Sequence, residues 1–410
     1  MTAFRFIKDC TRAAFTGGSP RFVAWVGSLF AVSLAGVWAY SYQLNHGLIV
    51  TGMSDQVSWG IYIANFTFLV GMAAAAVMLV IPAYIFHNQA ARSVVLLAEG
   101  VAVAACIMCM LFVTVDLGQP LRFWHMIPGL GRLNWPQSML AWDVIVLSGY
   151  LALNISIPWY ITYQRYRGRK ADIRVYFPAV LISIFWAISI HTVTAFLFIA
   201  NPARPFWNTA LLGPRFIASA FTAGPAFMVL AFRLIDRETS FKVDPKVMRL
   251  LALITAISLQ INLFMVGVEL FKEFYAPTAH SASAQFLFFG IGGENALVPW
   301  IWGALLIECI AVVILMVHKL RQNENLLAIA CIFAIVGIWI EKGMGLIIPG
   351  FTPTPLGEVF GYFPTWTETL VSFGIWAIGF MVFTVLARVT IMIETGRLKL
   401  GTLGESQVLE

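Results

Sequence analysis

Apolar residues along this chain neither alternate nor recur every third or fourth position; they come in continuous runs. Ten runs are each long enough to cross roughly 30 Å of hydrocarbon as a helix of about 20 residues. They fall at 22–45, 57–86, 91–116, 138–163, 175–200, 212–233, 247–272, 297–319, 326–347 and 368–393, numbered here as spans one to ten. Barrel strands would alternate and be only about 10 residues long, so a β-barrel is excluded. The pattern predicts an all-α polytopic membrane protein, a single integral membrane domain over 1–410.

The polar residues between the runs are distributed unevenly, and this adds an orientation. If the N-terminus is cytoplasmic, twenty of the 26 Lys and Arg fall on the inner side. They include Arg5, Lys8, Arg12 and Arg21, the run from Arg165 to Arg174, and the run from Arg233 to Arg249. Only Arg122, Arg132, Arg204, Arg215, Lys272 and Lys342 lie elsewhere. By the positive-inside rule both termini are expected in the cytoplasm, and the membrane is expected to be the bacterial inner membrane. The basic N-terminus and span one read as a retained helix rather than a cleaved signal, because the apolar run is too long for one.

Composition agrees: 60% of the 410 residues are hydrophobic and 11% charged, with mean hydropathy +0.83. The net charge of +6 needs no nucleic acid; orientation signals and contacts with membrane lipids explain it. Cys106 and Cys109 form a C-x-x-C inside span three, with no second pair to complete four ligands, so packing is the simpler reading. Of six His, only His191 lies well inside a span, whereas transmembrane haem b needs a pair. No phosphate-binding, dinucleotide or zinc-protease motif occurs. No haem, iron–sulfur cluster or metal site is expected in this chain.

Candidate chemistry gathers between span three and span four, in VTVDLGQPLRFWHMIPGLGRLNWPQSMLAWD, residues 113–143. Asp116, Arg122, His125 and Asp143 stand there among Phe123, Trp124, Trp135 and Trp142. Charge this close to hydrocarbon is expensive and usually functional. His191 lies in the outer half of span five, Arg204 just beyond it, and Glu269 at the outer end of span seven. Carboxylates and imidazole can take the protons that a quinol releases, and Trp124 and Trp142 offer an apolar aromatic slot for its ring. Asp143, His191, Asp116 and His125 are therefore the candidate proton-handling residues. Trp124, Trp142, Arg122, Arg204 and Glu269 are the candidate binding residues. Glu273, Glu341, Lys342 and Arg132 read as helix-end anchors, the lysine as a snorkelling side chain. Glu99 and Glu308 lie deeper, either as stepping stones for protons or as isolated hydrogen-bonding groups. A secondary transporter and a haem-b membrane anchor remain alternatives to a quinone protein.

Several stretches resemble a known family. VSWGIYIANFTFLVGMAAAAVMLVIPAYIF, VDLGQPLRFWHM, NPARPFWNTALLGPRFIASAFTAGPA and EKGMGLIIPGFTPTPLGEV are similar to membrane subunits of the NrfD/polysulfide-reductase-C family. The resemblance runs from about Trp59 to Trp376 and is strongest to the ten-helix, DsrP-type branch found in Dsr complexes of dissimilatory sulfur metabolism. It implies two four-helix bundles, over 57–200 and 212–347, with 22–45 and 368–393 flanking them. It also implies a menaquinone or ubiquinone near the outer face. Electrons would be exchanged with a periplasmic ferredoxin-like iron–sulfur subunit, alongside a haem-b membrane subunit, a cytochrome c and a cytoplasmic iron–sulfur subunit.

Overall fold

The computed structural model of the chain describes residues 2–127, 129–275 and 281–400. Ten helices are long and apolar enough to span a membrane, and no strand occurs among the described residues. Their bounds are Pro20–His46, Ile61–Ile85, Gln89–Asp116, Met139–Tyr166, Ile173–Ile199, Leu212–Glu238, Pro245–Tyr275, Val298–Met316, Glu324–Phe351 and Trp366–Glu394. The polytopic all-α expectation therefore holds, with every span within a few residues of its apolar run.

Caps decide where the helices start. Ser19, Asn88, Ser138 and Asp172 each accept a hydrogen bond from a backbone N–H of the first turn they precede. Thr365 and Glu368 close a reciprocal capping box at span ten. Span two begins later than its apolar run because Ser54 and Val57 close a turn on each other, the Ser54 N–H donating to the Val57 carbonyl at 3.0 Å. Span nine ends later: it is α-helical to Ile338, widens into a π-turn over Trp339–Met344, and continues to Phe351. Such turns inside helices often mark functional positions. Span two carries a second one at Ile81–Ile85, where Pro82 cannot donate to the regular ladder.

Neighbouring spans close two rings. Spans two, three, four and five pack in order, with two also touching five; spans six to nine do the same, with six touching nine. The rings meet where span two lies against span six and the π-turn of span nine, and where span five meets span six. Spans one and ten form a pair that leans on span three.

Lipid gives helices no hydrophobic reason to associate, so close backbone approach supplies the attraction. A Cβ on Gly36 of span one would stand 2.5 Å from Cα of Gly374 in span ten. At the seam between the rings, a Cβ on Gly224 would stand 2.2 Å from the Ala75 Cβ. Gly350 in the PGF turn lets the Trp207 indole rest on its backbone; a Cβ there would be 1.9 Å from the ring. Trp207 is further held by its Nε1–H, which donates to the Leu346 carbonyl at 2.8 Å.

Two glycines of span one give a matched test. Gly27 has nothing within 4 Å of an added Cβ, whereas Gly36 faces backbone. Gly36→Ala is expected to destabilise the protein by about 1–3 kcal/mol through overpacking. Gly27→Ala should be neutral or gain about 0.5–1 kcal/mol by reducing backbone entropy. Thermal unfolding of the two variants in detergent measures the difference; equal midpoints would contradict the packing.

Candidate functional site

Ser138 caps span four, which sets Asp143 in the second turn of the helix and facing inward. Its side chain is 1% exposed and accepts a 2.7 Å hydrogen bond from the Thr194 hydroxyl. Thr194 lies three residues after His191, so both point from span five into the same ring. His191 is also 1% exposed, and neither ring nitrogen has a hydrogen-bond partner. Asp143 and His191, drawn from separate stretches of sequence, thus share one dry interior with Thr194.

Lys342 joins them from the other ring. The anchor reading of Lys342 and Glu341 is overturned: the span runs on to Phe351, so both residues lie inside it, 5% and 2% exposed. The π-turn aims the two neighbours in opposite directions. Lys342 Nζ has no hydrogen-bond partner, sits 4.1 Å from the centre of the Phe216 ring and would be 3.4 Å from a Cβ on Gly71 of span two. Its charge acts on both His191 and Cys109. Glu341 instead turns into the second ring, where it pairs with Arg215 and accepts from Asn262 Nδ2 at 2.6 Å.

Glu269 belongs to this second cluster. Arg215 bridges Glu269 and Glu341, with its Nε donating to Glu341 at 2.8 Å. Glu308 is completely buried, neither carboxylate oxygen has a hydrogen-bond partner, and Gly337 makes room for it. A Cβ on that glycine would be 2.4 Å from Glu308 Cγ. Glu99 lies elsewhere in the first ring, near Tyr84, Tyr150 and Tyr176, with Oε2 unpartnered.

The remaining sequence candidates are not brought to Asp143. Asp116 ends span three in a different corner, beside a network built on Glu368. There Tyr362 donates to Glu368 at 2.6 Å, Gly52 N–H donates to it at 2.7 Å, and Tyr62 donates to Gln43 at 2.7 Å. Burial and the Glu368 carboxylate push the Tyr362 phenol well above its usual range, so it remains a donor. Arg122, Trp124 and His125 occupy an exposed turn over Pro120–Met126. Trp142 is half-buried, donates to the Pro136 carbonyl at 2.9 Å and has its ring 5.2 Å from that of Trp135. Arg204 donates to the Phe351 carbonyl at 3.1 Å and lies over the Phe351 ring, meeting no carboxylate among the described residues.

Two cavities flank these groups. An open hollow of about 390 Å³ lies between the loop around Gly131, Arg132 and Trp135 and the side of span four at Ile145. A far smaller one of about 10 Å³, about the room of a single water, is lined by Arg215, Phe216, Ser219, Glu341 and Lys342. Among the described residues no three His, Cys, Asp or Glu come together as a metal site. The chemistry available is proton exchange by a carboxylate, an imidazole, a hydroxyl and an ammonium in a dry, aromatic setting.

Known proteins give this arrangement a context. The family model described as "Polysulphide reductase, NrfD" matches residues 49–353. The Hdr-like menaquinol oxidoreductase integral membrane subunit of Archaeoglobus fulgidus is 28% identical over 90% of this chain and 93% of its own length. A putative dimethyl sulfoxide reductase membrane subunit of Halobacterium salinarum is 25% identical, over 87% of this chain and 88% of that protein. The menaquinone reductase integral membrane subunit of Nitratidesulfovibrio vulgaris is 25% identical over 88% and 89%. Since the family model spans well over half of its residues, this chain belongs to the NrfD, polysulphide reductase family of proteins.

Proposed function

We propose that this chain is the quinone-reactive membrane subunit of a multi-subunit oxidoreductase, and that Asp143, Thr194, His191 and Lys342 handle the quinone's protons. The observation that carries the reading is the set of orphaned polar atoms in the first ring. Both His191 nitrogens and Lys342 Nζ are buried without partners, and Thr194, three residues along from His191, orients the Asp143 carboxylate. Orphaned buried groups are costly unless a ligand completes them, and a ring with two hydrogen-bonding oxygens has the matching chemistry. Two relatives named for menaquinol and menaquinone support the same class of ligand.

A bound quinone supplies a two-electron, two-proton couple. His191 would meet one ring oxygen and exchange its proton, with Asp143 as the second acceptor and Thr194 holding the carboxylate in place. Lys342 would contribute the positive charge that Arg122 and Arg204 do not bring to this interior. Cys106 and Cys109, both buried, line span three without a ligand set around them among the described residues. Electrons would be exchanged with an iron–sulfur partner, proposed to be a periplasmic ferredoxin-like subunit of a sulfur-metabolism complex of the Dsr type. The exposed Leu121, Phe123 and Leu130 of the 117–137 loop offer it an apolar landing surface. Asp116, Glu269 and Arg204 then serve the fold around the site more directly than its chemistry.

Asp143→Asn and His191→Ala test the assignment. Each is expected to lower quinol-linked turnover by roughly 10²-fold or more, the scale of losing a general base, while the partner proteins still co-purify. Near-normal turnover in both variants, with assembly intact, would move the site away from the first ring.

The same reading has both termini in the cytoplasm, at the end of the bundle that bears most of the basic residues. A reporter active only outside the cytoplasm should be silent when fused after Lys399 and active when inserted near Gly129. Activity at the C-terminus would reverse the sidedness of every loop.

A further inference from the structure

The helix Thr2–Phe15 precedes span one and belongs to neither ring. Three distinct faces run along it. The first is fixed to the protein. Phe6, 3% exposed, packs its ring 5.1 Å from Trp159, 5.4 Å from Tyr163 and 5.1 Å from Tyr166, all in the last turns of span four. Asp9, the only acid of the helix, is buried and accepts from the Tyr166 hydroxyl at 2.6 Å, its Oδ2 also lying 3.9 Å from Arg5 Nε one turn back. Arg388 of span ten clamps the other end, donating to the Ala13 carbonyl at 3.0 Å and the Thr16 carbonyl at 2.6 Å. The helix is therefore docked across the ends of spans four and ten rather than hanging free.

The second face is apolar and uncovered: Phe4, Ile7 and Phe15 are 75%, 48% and 67% exposed. The third holds Arg5, Lys8 and Arg12, all exposed. At 100° per residue the apolar strip adjoins the cationic one, and the buried strip completes the circle. Trp159 on span four, whose ring packs on Phe6, is itself exposed, so the helix is continuous with an uncovered apolar side chain of the spans.

We infer that Thr2–Phe15 is an interfacial helix that lies in an anionic phospholipid surface. Phe4, Ile7 and Phe15 would enter the acyl boundary while Arg5, Lys8 and Arg12 meet the headgroup phosphates. Charge complementarity and continuity with the spans single out this occupant. An exposed apolar strip beside three cations, of which only Arg5 has the helix's one acid within reach, matches a negatively charged bilayer border. The burial of Asp9 matters, because on the outer face it would cancel part of the attraction. Gly17, at φ +69°, makes the turn that lets the chain pass from this helix into span one.

The test uses the full chain in nanodiscs, in a background with Cys10→Ser and Cys309→Ser. Nitroxide labels are placed at Phe4→Cys and at Ile7→Cys, and their relaxation is measured with oxygen and with a water-soluble nickel chelate. The labels should be accessible to oxygen and shielded from nickel. They should lie deeper in an equal mixture of phosphatidylglycerol and phosphatidylcholine than in phosphatidylcholine alone. Arg5→Gln, Lys8→Gln and Arg12→Gln together should abolish that lipid dependence, with about five-fold lost in preference for the anionic lipid per charge removed. Labels open to nickel in both lipids would overturn the inference. So would labels shielded from both reagents once the partner proteins are assembled, since a protein would then cover the face.

Discussion

Charge buried in hydrocarbon has to be neutralised where it stands, and in the second ring Arg215 meets that requirement for two carboxylates at once. Glu341 and Glu269 both bind its guanidinium, and Asn262 occupies a remaining Glu341 oxygen. Removing one partner of such a group leaves an uncompensated buried charge, which costs about 3–5 kcal/mol. The cluster therefore fixes spans six, seven and nine against one another. It also fixes the π-turn, because Glu341 is one of its members.

That turn then dictates what the first ring contains. With Glu341 held by Arg215, the next side chain leaves the turn on the other side, between span two and span six. Lys342 reaches Phe216 and Gly71 there, and its charge acts on His191. A cation supplied by one ring thus faces an imidazole in the other. The proposed proton-handling lysine and one member of the structural ion cluster, Glu341, share a single helical turn.

Legibility in the sequence follows the strength of the physical signal. Ten spans stand out because such long apolar runs suit a membrane-spanning bundle, and Ser19, Asn88, Ser138 and Thr365 set the starts of four of them. Asp143 and His191 can be singled out because each interrupts a strongly apolar run. Lys342 and Glu341 look like helix-end anchors along the chain, although the apolar stretch GMGLIIPGF continues past them and signals burial. Arg215 gives weaker notice, one cation early in span six whose partners lie 54 and 126 residues away. Proximity in sequence misleads in the other direction: Arg122, Trp124 and His125 lie close to Asp143 along the chain, yet they sit on an exposed turn. Arg204 finds Phe351 rather than a carboxylate because the PGF turn brings an aromatic face and a free carbonyl to the same place.

Everything proposed for this chain depends on the quinone ring being held in the first ring of helices among Asp143, Thr194, His191 and Lys342. Photolabelling of the assembled complex with a light-activated quinone, followed by mapping of the modified peptides by mass spectrometry, addresses it directly. The account predicts adducts in the first turns of span four and in the second half of span five, removed by excess unlabelled quinone. Adducts confined to the second ring, beside Glu269 and Glu308, would contradict it.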